Sequence, residues 1–239
     1  MHTGEAIEAG VRAERLRSFV LRVILCGWIA LSIANFIVET ECVSAASRVA
    51  REQPVSGDEL RAIRRHASLP ASVGGYIDVA TIAAWLLWQY RAYANLRLVG
   101  SGTTRTRPAI TLGYWFVPWL MWTAPCRVFK ELWIRSAARN ATSSIDGNPM
   151  PRPVLLWWCA SVATFLSTVI RIVLINRSPS LHADAAGFEV AARFAQVNAV
   201  LWFLSAASAI LVVTRIHRMQ SAFSQSGDAL DEGAATVRS

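Results

Sequence analysis

Side chains that could perform acid–base, nucleophilic or metal chemistry are scattered along the chain. The histidines lie outside the long apolar segments, at His2, His66, His182 and His217. The four cysteines are isolated, form no CxxC pair and have no His pair at metal-ligand spacing. The chain also lacks HExxH, GxSxG and paired-carboxylate motifs. We therefore expect a protein that is not an enzyme and that has no metal site and no cofactor.

A polar, aromatic and basic cluster follows one of the apolar segments. Tyr90, Arg91, Tyr93 and Asn95 come directly after the run WLLWQ. Aromatic and basic residues at the end of an apolar segment are typical of a membrane–water interface. Arg91 is expected to reach lipid head groups, and the alternative is a buried pair with Glu131 that would fix this segment to a later helix.

A second apolar stretch, residues 108–124, is broken by proline. Phe116 precedes Pro118 in its middle, and Pro125 follows its end. Proline removes a backbone hydrogen bond and kinks a helix. The stretch is therefore predicted to be a broken membrane helix, which either re-enters on the side it came from or crosses as a short helix.

An amphipathic helix is predicted after Pro125, over residues 126–139. Its apolar face carries Val128, Phe129, Leu132 and Trp133. Its polar face carries Arg127, Lys130, Glu131, Arg135 and Arg139. Such a helix is expected to lie in the plane of the membrane interface, with its basic face toward anionic head groups.

These residues need a membrane to position them. Of the 239 residues, 54% are hydrophobic, and the net charge of +8 comes from 23 Arg and the single lysine, Lys130. The charges lie between apolar segments, so membrane topology explains them better than nucleic-acid binding. We predict an all-α, polytopic membrane protein. Its four transmembrane helices are expected over about 19–38, 76–93, 154–175 and 194–213.

The remaining segments are expected to lie outside the membrane. Residues 1–18 are predicted to be a cytoplasmic N-terminal segment, and 215–239 a disordered cytoplasmic tail. A short helix is expected to begin after Ser56 and to stop at Pro70, with Gly74 and Gly75 turning the chain into the second span. A signal peptide is the rival interpretation of 19–38, but its apolar run exceeds the roughly 7–15 residues of a signal core.

The distribution of Lys and Arg favours four spans. With a cytoplasmic N-terminus and a re-entrant stretch at 108–124, 16 of these cations lie inside and 8 outside. If that stretch crosses, 11 lie inside and 13 outside. The first arrangement follows the positive-inside rule. We therefore expect both termini in the cytoplasm.

The motif combination over roughly residues 75–175 resembles the bacterial membrane family called domain of unknown function 4328. The family's Tyr-Arg-x-Tyr-x-Asn segment, its two prolines, its Glu-x-Trp and its Trp-rich span are matched in order. The matching residues are Tyr90, Arg91, Tyr93, Asn95, Phe116, Pro118, Pro125, Glu131, Trp133, Trp157 and Trp158. Between the prolines the family usually has Asn-Leu, where this chain has Met121 and Trp122. The resemblance implies this architecture and a bacterial cytoplasmic membrane, and it brings no activity.

Two functions fit these patterns. The first is a non-enzymatic membrane module that binds lipids, with anionic head groups expected, or a membrane or cytoplasmic protein partner. Its candidate residues are Tyr90, Arg91, Tyr93, Asn95, Phe116, Pro118, Pro125, Lys130, Glu131 and Trp133. The alternative is a small channel or transporter built around 108–124, with Asp78, Arg171, Gln196 and Asn198 bordering an outward vestibule.

Overall fold

The protein is mostly helical in the residues that a computed structural model describes, which are 2–98, 106–137, 147–177 and 185–237. These residues contain helices and turns and no strand. The helices are α1 (His2–Ala50), α2 (Gly57–Leu98), α3 (Pro108–Gly113), α4 (Ala124–Ala137), α5 (Arg152–Arg177) and α6 (Ala185–Val237). The predicted all-α class is confirmed.

Four of these helices are long and apolar enough to cross a membrane. The qualifying stretches are Arg15–Ala50, Gly57–Leu96, Arg152–Leu174 and Ala186–Ala222. Their outward surfaces carry large apolar side chains, among them Phe19, Ile37, Val79 and Leu156. Exposed apolar surface on this scale is expected of a protein that lipid surrounds. The predicted architecture of four membrane helices is therefore confirmed.

The second long helix departs from the sequence prediction. α2 continues through Pro70, Gly74 and Gly75, so the predicted stop and turn are wrong. An internal proline removes one helical hydrogen bond. The helical turns before and after Pro70 keep their own hydrogen bonds, so α2 continues through it. A Cβ on Gly74 would lie 3.7 Å from Cδ2 of Leu31, an ordinary van der Waals distance, so α1 and α2 are in contact at this position.

Both chain ends are helical in the described residues. α1 begins at His2, so the described part of the predicted N-terminal segment 1–18 is the start of a long helix. α6 runs to Val237, through the stretch that was predicted to be a disordered tail. Extending an existing helix needs no new nucleus and adds one hydrogen bond per residue, which favours continuation beyond an apolar span.

The described residues form two compact units. Unit 1 takes its residues from Met1–Val23, Ile82–Leu156 and Ile210–Ser239, and unit 2 from Ile24–Thr81 and Trp157–Ala209. Each of the four long helices contributes one segment to each unit, whereas α3 and α4 belong wholly to unit 1. The chain thus returns to unit 1 at Ile82 and stays there until Leu156.

A left-handed residue closes the C-terminus of α1. Glu52 has a φ of 59°, its N–H donates to Val49 O at 3.0 Å, and the N–H of Gln53 donates to Arg48 O at 2.9 Å. Glycine is the residue that adopts this conformation without strain.

Replacing Glu52 by Gly should therefore raise the free energy of unfolding by about 1 kcal/mol. The measurement is an SDS titration of the purified protein in mixed micelles. Gln53→Gly serves as the control, because Gln53 lies outside the positive-φ region and should gain nothing from glycine. If the Glu52→Gly protein is no more stable than the wild type, Glu52 is not strained at the C-terminus of α1 and this explanation is wrong.

Candidate functional site

An aromatic cluster in unit 1 joins α2 to α4. The ring of Phe129 stacks on Trp85 and Trp88, with centroid distances of 5.3 and 6.1 Å. Phe129, together with Leu132 one turn later, is fully buried. The apolar face of α4 therefore packs against protein. The helix ends at Ala137, and the last two residues of the predicted 126–139 lie outside the described residues.

The polar face of α4 is split between the interior and the surface. Glu131 and Arg135 are buried, whereas Arg127 is exposed and Lys130 partly exposed. Arg135 Nε lies 2.8 Å from Glu131 Oε1, and Tyr93 OH donates to Glu131 Oε2 at 2.8 Å. Arg135, which was expected on the basic face toward head groups, is instead buried beside Glu131 inside unit 1.

The hypothesis of a buried pair between Arg91 and Glu131 is also corrected. The Arg91 side chain is exposed, and its guanidinium carbon lies 5.9 Å from the centroid of the Tyr90 ring. The contact from α2 to Glu131 is made by Tyr93. The end of the second span is fixed to α4 as proposed, through a different residue.

A buried amide holds the broken segment against α2. The Gln89 side chain is fully buried, its Nε2 donates to Thr111 O at 3.2 Å, and its Oε1 accepts from Trp115 Nε1 at 2.9 Å. Both partners come from the broken stretch, in which α3 ends at Gly113 and turns follow. Gln89 was not among the predicted site residues, although an amide inside an apolar run was a signal for it.

A second buried amide adds α6 to this network. Gln220 Nε2 donates to Ala92 O at 3.0 Å and to Ser136 Oγ at 3.1 Å. The two glutamines and Glu131 therefore link α2, the broken segment, α4 and α6 inside unit 1. Because a buried polar group is costly unless it is satisfied, these contacts specify one arrangement of the four elements.

The ten predicted site residues differ in their exposure to solvent. Tyr93, Pro125 and Glu131 are buried, and Arg91, Phe116 and Pro118 are exposed. Intermediate exposure is found for Tyr90, Asn95, Lys130 and Trp133. The structure thus divides the motif into a buried part, which holds unit 1 together, and an exposed or half-exposed part on its surface.

Unit 2 contains a cavity of about 210 Å³. Seven of its lining residues carry charge, an amide or an indole ring: Trp28, Asn35, Glu39, Asp78, Arg171, Asn198 and Trp202. Three of the four residues predicted to border a vestibule are among them. The fourth, Gln196, donates from Nε2 to Thr40 Oγ1 at 2.9 Å. None of the lining residues comes from 108–124, so the alternative of a channel built around the broken helix does not coincide with this cavity.

The cavity is lined by two carboxylates and one guanidinium group. Arg171 Nη2 lies 3.0 Å from Glu39 Oε1, which neutralises that carboxylate. Asp78 forms no ion pair with any described side chain. The cavity therefore has one unmatched carboxylate. Glu39 was expected outside the first span, and it reaches the cavity because α1 continues to Ala50.

Metal binding has no visible basis in the described side chains, which contain no group of three or more His, Cys, Asp or Glu residues able to hold an ion. The described cysteines at 26, 42, 126 and 159 are free thiols.

Comparison with known proteins identifies the family. A family model with the description Domain of unknown function (DUF4328) matches residues 48–221. This match extends beyond the 75–175 covered by the motifs and includes the Gln89 and Gln220 contacts, most of α6 and the cavity residues from α2 and α5. No curated protein and no solved structure matches the chain. Since the family model covers well over half of the residues, the chain belongs to the DUF4328 family.

Proposed function

We propose that the protein is a non-enzymatic module of the bacterial cytoplasmic membrane that binds anionic lipid head groups through the surface of unit 1. One observation carries this proposal. Phe116 and Trp119, both in the broken segment, are each 74% exposed, and cationic side chains flank them in the sequence. We name this set the basic–aromatic surface; it consists of Arg107, Phe116, Trp119, Arg127 and Lys130.

The chemistry of these side chains suits the boundary between head groups and acyl chains. The indole of Trp119 is amphipathic and favours the level of the head groups. The Phe116 ring gains free energy by leaving water for the acyl boundary. A cation held near an anionic membrane surface contributes about 1 kcal/mol. Arg127 is exposed and Lys130 partly exposed, so both can reach lipid phosphates.

The backbone of the broken segment is compatible with shallow immersion. Local hydrogen bonds satisfy much of it, including Phe116 N–H to Gly113 O at 3.1 Å and Met121 N–H to Val117 O at 2.9 Å. Pro118 has no N–H to satisfy. Irregular backbone at membrane depth needs such internal partners or the shelter of protein. The Gln89 contacts supply that shelter from α2.

The proposed orientation places both termini and the basic–aromatic surface on the cytoplasmic side. The count of 16 cations inside and 8 outside supports it. The assignment of the start of α1, residues 82–156 and the end of α6 to the same unit supports it as well. Anionic lipids give the cytoplasmic leaflet a negative surface potential, which matches the charge of this surface.

The test is the binding of dioctanoyl phosphatidylglycerol to the purified, detergent-solubilised full chain, followed by native mass spectrometry. The double variant Arg127→Gln/Lys130→Gln should bind about 10- to 30-fold more weakly, because each cation contributes about 1 kcal/mol. Dioctanoylglycerol, which lacks the phosphate, should bind wild type and variant equally.

A charge-matched control is available in α2. Arg64 and Arg65 are both exposed, and Arg64→Gln/Arg65→Gln removes an equal number of positive charges, but from unit 2. This control should retain wild-type affinity for phosphatidylglycerol. If both double variants lose affinity equally, the effect is one of net charge and the proposed surface is rejected. If neither loses affinity, the proposal is rejected as well.

A further inference from the structure

We propose that the cavity in unit 2 binds a small organic cation that carries an ammonium group. This inference does not depend on the lipid-binding surface in unit 1. It rests on the charge of the cavity, on its aromatic wall, on a buried donor without a partner and on its size.

The unmatched carboxylate of Asp78 provides the charge. With Glu39 paired to Arg171, Asp78 leaves the cavity one negative charge in excess. An ionisable side chain within a membrane span is costly and is usually paired or functional. A ligand cation would supply the partner that the described side chains do not.

Two indole rings provide the aromatic wall. Trp28 and Trp202 both line the cavity, with ring centroids 4.3 Å apart and planes tilted by 54°. The Trp28 side chain also lies within hydrogen-bonding reach of Asp78. Tryptophan is the strongest cation–π partner among the side chains, and aromatic walls recognise quaternary ammonium groups. The carboxylate and the rings can therefore act on the same cationic group.

A buried donor and neutral polar groups complete the cavity. Arg171 lines the cavity, and its buried Nε has no hydrogen-bond partner among the described residues. Asn198 is buried, and its Oδ1 accepts a hydrogen bond from Thr168 Oγ1 at 3.2 Å. This arrangement suits a ligand with an ammonium group at one end and a hydroxyl or ester oxygen near the other.

The volume sets the scale of the ligand. At about 210 Å³, the cavity is smaller than the roughly 300–1,000 Å³ of pockets for drug-sized molecules. It suits a solute of the size of choline, or the head group of a lipid. A cavity filled only with water is the competing outcome, since polar groups in a cavity of this size can hold ordered water.

The first experiment compares choline with its uncharged carbon isostere 3,3-dimethyl-1-butanol. Both are titrated into the purified full chain in detergent, and binding is followed by calorimetry and by tryptophan fluorescence. Choline should bind at least about 10-fold more tightly, because cation–π and charge interactions act only on the ammonium. Equal measurable affinity for the two would overturn the proposal. If neither choline nor dioctanoyl phosphatidylcholine, which is titrated below, binds, the proposal is overturned and the cavity holds only water.

The second experiment removes the carboxylate. Asp78→Asn should weaken choline binding at least about 10-fold, which corresponds to the loss of one charge-assisted contact. Asp58→Asn is the matched control, since the Asp58 side chain is 88% exposed, and it should leave the affinity unchanged. Unchanged affinity in Asp78→Asn would overturn the proposal. If Asp78→Asn does not fold, Trp202→Leu tests the aromatic wall instead, and it should also weaken choline binding. The comparison of choline with its isostere in the wild-type protein then tests whether the ammonium charge is recognised.

Two further titrations show whether the ammonium group belongs to a free solute or to a lipid head group. Free choline and dioctanoyl phosphatidylcholine are titrated separately. Binding of choline in lipid-free detergent indicates a solute site, and binding of the lipid alone, with the same sensitivity to Asp78→Asn, indicates a head-group site. The variant Arg127→Gln/Lys130→Gln should bind choline as the wild type does, so failure of one proposal is distinguishable from failure of the other.

Discussion

Phe129→Ala is expected to lower the free energy of unfolding by about 3–5 kcal/mol, the range for removing a fully buried aromatic side chain. Phe129 is 0% exposed and is the ring against which both Trp85 and Trp88 pack. Removing it takes away the contacts of two indole rings and leaves a cavity that the surrounding helices can fill only partly.

The measurement is again an SDS titration in mixed micelles, with near-ultraviolet circular dichroism to follow the tryptophans. The matched control is Phe116→Ala, which deletes the same ring at a position 74% exposed and should cost no more than about 0.5 kcal/mol. Similar losses for the two variants would mean that the aromatic cluster does not hold α4 in place.

Glu131→Ala is the second large effect, with an expected loss of about 3–5 kcal/mol, typical of breaking a buried ion pair. The substitution removes the acceptor for Tyr93 OH and the counter-charge of Arg135. Arg135 is only 8% exposed, so its charge cannot recover full hydration without movement of α4.

A double-mutant cycle separates the two contacts. Tyr93→Phe alone should cost about 1.5–3 kcal/mol, since its hydroxyl donates to a charged group. In the Glu131→Ala background it should cost clearly less, and strictly additive losses would contradict the contact. Glu189→Ala is the surface control. Its i, i+4 pair with Arg193 has a cation that is 63% exposed, so the expected loss is about 0.5 kcal/mol.

The helical spans could be predicted from the sequence because they depend on local properties. A run of about 20 apolar residues has few stable alternatives to a membrane helix, whatever its neighbours. The ends of the helices were harder to predict. Pro70 and the Gly74–Gly75 pair are turn signals in water, but a helix already anchored by an apolar span continues through them. α1 likewise continues past residue 38 to Ala50, and this continuation places Glu39 at the cavity of unit 2.

The candidate sites depend on contacts between residues that are distant in the chain. Periodicity shows that α4 has two faces and does not show which of them contacts protein. The buried Glu131 carboxylate accepts a hydrogen bond from Tyr93, which lies 38 residues earlier. Arg91 and Tyr93 are two positions apart, and residues at that spacing do not share a helix face. The sequence alone could not decide which of them would meet Glu131.

The cavity was anticipated in part. Asp78, Arg171 and Asn198 were recognisable as polar residues at the edges of apolar spans. Trp28 and Trp202 were not, since a tryptophan in an apolar run is equally consistent with contact with lipid. Only the packing of α1 against α6 within unit 2 shows that their rings are in contact.

The burial of Glu131 and Arg135 has a consequence for work with isolated fragments. A synthetic peptide covering 124–137 would expose Phe129 and Leu132, which are fully buried in the protein. It would present these side chains, and the Glu131–Arg135 pair, to a vesicle. Its affinity for lipid would therefore measure a surface that the intact protein conceals. Arg127 and Lys130 are the only cations of that peptide that the folded chain leaves accessible among the described side chains.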